Sequence, residues 1–318
     1  MGTKYRQLTL VERYQIEAFS DMDFSAREMA KRLDRSNKTI SDELKRYRKG
    51  AYKADVANTM AKQKRTLATK HTKRSLALEK TIQTHLYLGF SPEQIVGRQR
   101  LEEAAETVST CTIYNWVKRL KLRHLLARKG KRYKQRKGAE AGVHLIPNRV
   151  DISERPAIVD DNVEMGHWEG DTVHGQDGYL VTLVERVSKI LLTKRVKRKT
   201  KAEVTRAIKQ LMRPYKHLCK TITFDNGGEF ADHKKVGKAL QCQIYFAKPY
   251  HSWQRGLNEN TNGLLRRFFP KGAAIGSVPE KAIKEAAFWI NIRPRKTLGY
   301  LSPYEFLSGK RVSLIVAI

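Results

Sequence analysis

Near residue 140 the hydrophobic rhythm of this chain changes, and that change limits what the chain can fold into. Before it, apolar residues recur at three- and four-residue intervals, the mark of amphipathic helices. Beyond residue 160 they alternate in short runs, the mark of half-buried strands. A chain of 318 residues with both patterns in succession is expected to be multidomain, with all-α units in front and an α/β domain built on a mixed sheet behind. Between them Gly138, Gly142, Pro147 and Pro156 interrupt either pattern.

The helical part punctuates itself. Thr9 with Glu12, and Ser25 with Glu28, are capping-box pairs that start two helices. The polar turn Asp34-Arg35-Ser36 then leads to a third helix, on which Ile40 and Leu44 face inward while Lys38, Thr39, Ser41, Lys45 and Arg46 face away. That is helix-turn-helix spacing with a basic last helix, suited to a major groove. An ordinary three-helix bundle has the same apolar pattern. A looser second version runs from residue 76 to 125: Ser91-Pro92-Glu93-Gln94 opens one helix, and Ser109 caps another carrying Ile113, Trp116 and Val117. On that helix Trp116 is expected in the core, while Thr112, Asn115, Lys118 and Arg119 are candidate DNA contacts.

Charge separates these possibilities. Lys and Arg number 63 against 32 Asp and Glu, a net of +31. The densest run, Lys118 to Lys137, holds eleven Lys or Arg and no acid. A folded chain with this surface is expected to bind a polyanion, double-stranded DNA above all. The start of the chain has no apolar signal core and no stretch is long enough to span a membrane, so a cytoplasmic, nucleoid-associated protein without a membrane partner is expected. The three cysteines are far apart, without metal-ligand spacing, which disfavours disulfide and zinc scaffolds. No GxxxxGK[ST] run suggests a nucleotide.

Beyond residue 160, His167 to Val173, Tyr179 to Val187 and Ile190 to Val196 read as three antiparallel strands. Residues 201 to 212 read as a helix, Ile222 to Asp225 as a strand, His233 to Leu240 as a helix, Gln243 to Phe246 as a strand and Asn258 to Phe269 as a helix. Asp171, Asp225 and Glu259 fall on this frame with 53 and 33 residues between them. Adjacent strands can bring the aspartates together, and a helix crossing that edge can deliver the glutamate. Three converging carboxylates repel one another unless hard divalent cations bind them, and two Mg2+ or Mn2+ ions roughly 4 Å apart are suited to in-line phosphoryl transfer. Each acid taken alone is more ordinarily a cap or a surface ion pair; Asp225-Asn226-Gly227-Gly228 is also turn chemistry.

The local wording favours the chemical reading. GHWEGDTV (166–173), TLVERVSK (182–189), TFDNGGEF (223–230), PYHSWQRGLNENTNGLLRRFFPKG (249–272) and NIRPRKTLGYLSP (291–303) resemble, in order, the bacterial insertion-sequence-thirty family of DDE transposases. The resemblance covers roughly residues 5–45 and 150–306. It implies an RNase H-like catalytic core with Asp171, Asp225 and Glu259 as metal ligands and catalytic residues, two Mg2+ ions (Mn2+ able to substitute), and helical domains that bind the element's terminal inverted repeats. It further implies a homodimer or higher homo-oligomer on DNA. Departures lie at Thr172 and at His251-Ser252, beside the proposed ligands.

The expected division is therefore a helix-turn-helix domain at 1–50, a basic connecting segment at 51–75, a second helix-turn-helix-like domain at 76–125, a basic linker at 126–150 and the catalytic domain at 151–318. Asn226, Trp253, Arg255, Arg266 and Arg267 join the candidate DNA contacts. Two other classes fit parts of the pattern: a helix-turn-helix transcriptional regulator, which leaves the acidic trio unused, and an RNase H-type nuclease, which cuts without joining.

Overall fold

The structure is a computed structural model, and it describes residues 6–46, 50–67, 75–127, 146–249 and 251–312, without the side chains of Arg46, Ser252 and Trp253. Most of the basic linker expected at 126–150 lies outside the described residues. The chain divides into two compact units, Met1–Thr72 and Lys73–Ile318.

In the first unit, α1 (Leu10–Asp21) and α2 (Ala26–Arg32) begin with the capping boxes read from Thr9 and Ser25. Helix α3 (Asn37–Arg46) follows the Ser36 turn. Ile16, Met29 and Ile40 close the core, and a buried ion pair, Arg13 Nε to Glu43 Oε1 at 2.7 Å, ties α1 to α3. Residues 51–75, expected as a connecting segment, contain a fourth helix, α4 (Ala54–Leu67). It is a partner of α1, and Tyr52 and Ala57 belong to the same core. Only its small residues Ala54 and Ala57 are buried, while its larger apolar side chains Val56, Met60 and Leu67 are exposed.

The second unit opens with α5 (Leu76–Tyr87), α6 (Pro92–Leu101) and α7 (Thr110–Arg119), packed around Ile82, Leu86, Ile95, Ile113 and Trp116. After the short α8 (Ile158–Asp161) come β1 (His167–His174), β2 (Tyr179–Glu185) and β3 (Leu191–Val196), then α9 (Lys201–Met212), β4 (Thr221–Phe224), α10 (His233–Leu240) and β5 (Gln243–Phe246). Helices α11 (Gly256–Phe268), α12 (Glu280–Asn291) and α13 (Pro303–Ser308) complete it. The five strands form one sheet in the order β3-β2-β1-β4-β5; β1 runs antiparallel to β2 and parallel to β4.

Alternation along β1 and β2 decides which helices cover which face. Trp168, Val181 and Leu183 point to a core shared with α9 and α10, whereas Val173, Leu180 and Val184 meet Leu265 of α11 and Ile283 and Ile290 of α12. Each such apolar side chain contributes about 1.5–3 kcal/mol on burial. Asp171 is on the α11 side with Val173, so the helix that carries Glu259 lies over the same face as the first aspartate.

The triad α5–α7 is part of this second unit. Arg98 of α6, 1% exposed, pairs with Glu305 of α13 through two contacts of 2.7 and 2.6 Å and donates to the Tyr300 carbonyl at 3.1 Å. Gly97 beside it leaves no room for a side chain: an added Cβ would stand 2.1 Å from the Tyr300 ring. A glycine there lets helix and ring touch directly.

Candidate active site

Strands β1 and β4 pair over only three positions, ending at Glu169 opposite Thr223. Two residues further along the chain from each stand Asp171 and Asp225. Their separation of 54 positions equals the register of the pairing, so the parallel ladder itself sets the two aspartates side by side just past its carboxyl end. There the strands part: β1 continues against β2 to His174, while β4 ends at Phe224. Asp225 was expected as the last strand residue; it instead begins the turn, accepting the Gly227 N–H on Oδ1 at 3.0 Å. Gly170 makes the close approach possible, since a Cβ there would be 2.3 Å from the Phe224 ring.

Asp171 is held on both oxygens. Oδ1 accepts the Thr172 N–H at 2.8 Å, and Oδ2 accepts Asn262 Nδ2 of α11 at 2.9 Å. Arg255 then bridges the pair, with Nη2 3.2 Å from Asp225 Oδ2 and Nη1 3.8 Å from Asp171 Oδ2, while Nη1 also donates to the Gly170 carbonyl at 3.0 Å. Burial raises the Asp171 pKa to about 6; Asp225 and Glu229 push the same way, and Arg255 opposes them.

Glu229, which the sequence reading did not single out, is a further acid of this site. It is buried, accepts Thr172 Oγ1 at 2.9 Å and pairs with Lys199 Nζ at 2.9 Å. Its only sequence signal is its place four residues after Asp225 in a glycine-rich turn. Glu169 is another. It lies two residues before Asp171 on the same strand face and is 1% exposed. One oxygen takes Arg186 Nη1 at 2.7 Å and the other the backbone N–H of Asn258 at 3.0 Å, so it fixes the first turn of α11 beside the aspartates. Next to it a cavity of about 570 Å³ is lined by Arg155, Arg186, Lys189 and Lys248 together with Gly256.

Glu259 stands on that first turn, three residues before Asn262 and hence on a neighbouring position of the same helix face. It is exposed and has no hydrogen bond or ion pair among the described residues. The structure thus joins Asp171 and Asp225 through one guanidinium and leaves Glu259 outside that contact. Among the described residues no three His, Cys, Asp or Glu side chains are gathered closely enough to hold a metal ion.

Comparison with known proteins agrees with this architecture. The integrase core domain family matches residues 161–252, and the helix-turn-helix domain family matches residues 4–47. The chain is 40% identical over 312 residues to the transposase for insertion sequence element IS4351 of Bacteroides fragilis, covering 94% of this chain and 95% of that one. It is 34% identical to transposase InsI for insertion sequence element IS30A of Escherichia coli, covering 94% and 83%. The chain belongs to the insertion-sequence-thirty family of transposases. A third relative, the transposase for insertion sequence element IS1086 of Cupriavidus metallidurans, is 33% identical over 96% of this chain and 95% of that protein.

The two aspartates have the donor chemistry for the divalent cations that an integrase core uses in general. The donors are hard carboxylate oxygens, and the bridging guanidinium of Arg255 is a positive group seated between two of them. The remaining transposase candidates divide. Lys38 and Lys45 are exposed on α3, with Thr39 and Ser41 half-buried beside them; Asn115, Lys118 and Arg119 are exposed on α7, where Arg119 reaches Glu79 at 3.5 Å and Thr112 is half-buried. Asn226 donates to the Ala247 carbonyl at 2.7 Å and accepts from Arg149, so it braces the ends of β4 and β5. The Trp253 and Arg46 side chains lie outside the described ones. Arg266 is half-buried with Nη1 sealed from solvent and unpartnered among the described residues, and Arg267 turns to backbone carbonyls. Among the described residues no helix is long and apolar enough to cross a membrane.

Proposed function

We propose that the chain is a DNA transposase that binds the terminal inverted repeats of its own insertion sequence, cleaves the 3′ boundaries of the element and joins each freed 3′ hydroxyl to target DNA. The observation that carries this reading is the meeting of Asp171 and Asp225 at the parting of β1 and β4, in a chain of this family. Asp171, Asp225 and Glu259 would hold two Mg2+ ions, for which Mn2+ can substitute. When bound, such ions supply a polarised attacking oxygen and charge stabilisation for the leaving one.

The chain's own residues do the positioning. The Thr172 N–H and the Asn262 amide orient Asp171, the Gly227 N–H orients Asp225, and Glu169 secures the start of the helix that carries Glu259. Arg255 offsets the charge of the pair until a cation or a phosphate takes part. Water attacks first and a DNA 3′ hydroxyl second; one phosphodiester is exchanged for another, so no nucleotide cofactor is consumed. The exposed cations of α3 and α7 are suited to phosphate and groove contacts on element ends and target, held by a homodimer or larger assembly.

The test is a duplex carrying the inverted repeat that flanks the coding region, incubated with the full chain and Mg2+. Asp225→Asn removes one charge and little shape. It is expected to drop both nicking and joining to the detection limit while binding of the same duplex stays within about twofold. Joining retained by Asp225→Asn would remove this residue from the site, and binding without nicking or joining by the unsubstituted chain would favour a regulator.

A further inference from the structure

Away from the aspartates, the second unit gathers arginines that have no carboxylate partner among the described residues. Arg293, just past α12, is 5% exposed; its Nε is sealed from solvent and has no hydrogen-bond partner among the described residues. Its guanidinium lies over Gly89, in the turn between α5 and α6, where an added Cβ would come within 2.6 Å of Arg293 Nη2 and 3.1 Å of both Arg267 terminal nitrogens. Arg267, in the last turn of α11, donates to the Gly89 carbonyl at 3.0 Å and the Leu125 carbonyl at 3.3 Å. Arg295 donates Nη2 to the Ile290 carbonyl at 3.3 Å, and its Nε is again sealed, without a partner among the described residues. None of the three forms an ion pair with Asp or Glu among the described residues.

Burial lowers the Arg293 pKa to about 9, with Arg267 and Arg295 pressing in the same direction. The deficit is local. Arg98, just as buried and in the same unit, has two glutamates, Glu102 and Glu305. Backbone carbonyls alone are a weak answer to clustered guanidinium groups, whereas a phosphate presents the oxygen geometry that a guanidinium fork matches and carries the missing charge.

We propose that Arg293, Arg295 and Arg267 form a slot for one backbone phosphate of duplex DNA, at the seam between the α5–α6 turn and the end of α12. The net charge of +31 favours a polyanion over a free ion as the occupant. The choice of DNA rests on the transposase reading; the vacant charge does not. Arg267 follows Glu259 by eight positions on α11, about 12 Å of helix rise, so the slot grips DNA some three or four nucleotide steps from the reacting position.

The experiment follows the salt dependence of binding of a 30-base-pair random duplex to the full chain, by fluorescence anisotropy without metal. Arg293→Gln is expected to flatten the slope of log affinity against log salt by about 0.9, the contribution of one phosphate contact, and Arg293→Lys to restore it. Should Arg293→Gln fail to fold, Arg295→Gln carries the same measurement. An unchanged slope would mean that the arginines only staple the seam, and the slot is then refuted. A melting temperature that rises with inorganic phosphate in the unsubstituted chain but not in Arg293→Gln, with an unchanged duplex slope, would assign the slot to the free ion and overturn DNA as its occupant. The assay involves no chemistry, so absent joining would sink the transposase mechanism and leave the slot standing, while a flat result beside intact joining would sink the slot alone.

Discussion

The two helical triads each bury an arginine against a glutamate, but they aim the pair differently. In the first, Arg13 of α1 meets Glu43 of α3, and the contact closes inside the triad. In the second, Arg98 of α6 reaches past the triad to Glu305 of α13, alongside Gln94 Nε2 bonded to the Pro294 carbonyl at 2.8 Å and Gly97 pressed on Tyr300. A buried ion pair is poor at adding net stability but severe when half of it is lost. Its placement therefore marks which surfaces have to stay together: α1 with α3 in the first unit, and the whole triad with the sheet domain in the second.

The largest expected effect tests this difference. Arg98→Ala should cost about 3–5 kcal/mol, because it strands a buried glutamate. Burial opposes ionisation of Glu305, yet Arg98 and two backbone N–H groups hold its pKa at about 2. In the unsubstituted chain the stabilisation is thus present above about pH 4.5 and lost only as the pH falls towards 2. Arg13→Ala should cost a similar amount, but only in the first unit. All four tryptophans belong to the second unit, so urea unfolding read by tryptophan fluorescence should shift for Arg98→Ala and stay in place for Arg13→Ala, whose effect is read by far-ultraviolet circular dichroism. Equal shifts of the fluorescence transition would break the comparison. Next in size, Gly97→Ala should cost about 1–3 kcal/mol by forcing Tyr300 away, whereas Ala is ordinarily the better helix former. A gain in stability would show that α6 does not depend on that close contact.

The smallest effect sharpens the comparison by reversing it. Asp171 has no cation of its own and shares Arg255 with Asp225, and its pKa is raised rather than lowered. Its ionisation therefore opposes folding: the penalty is absent below about pH 3.8 and complete above about pH 6. The raised pKa corresponds to roughly 3 kcal/mol; less the accepted hydrogen bond that an amide nitrogen cannot replace, Asp171→Asn should stabilise the chain by roughly 1–2 kcal/mol at pH 7.5 in the absence of metal, with the gain vanishing below pH 4. Destabilisation at pH 7.5 would mean that the charge is compensated after all.

Much of this was legible because local rules and tertiary structure agree. The capping boxes at Thr9, Ser25 and Ser91 are where the sequence predicts them, and α9, α10 and β5 match their expected spans because each has a clear apolar period. Helix α4 was not legible, since its buried face is made of the small residues Ala54 and Ala57 while its larger apolar side chains are exposed; α12 and α13 likewise had no counterpart in the expected run of elements. Of the site, the two aspartates could be paired from their spacing once a parallel ladder was assumed. Glu169 and Glu229 could not, because what marks them is their hydrogen-bond partners, Asn258 and Thr172, which are far away in sequence.

The parting of β1 from β4 after Glu169 has one more effect. The edge of β1 at Gly170 is released from its neighbour, and its carbonyl is spent on Arg255. Some of the polar lining of the cleft is thus main chain, which evolution cannot erase by exchanging side chains; the opening can be retuned by its arginines and acids, but its mouth is inherited with the sheet.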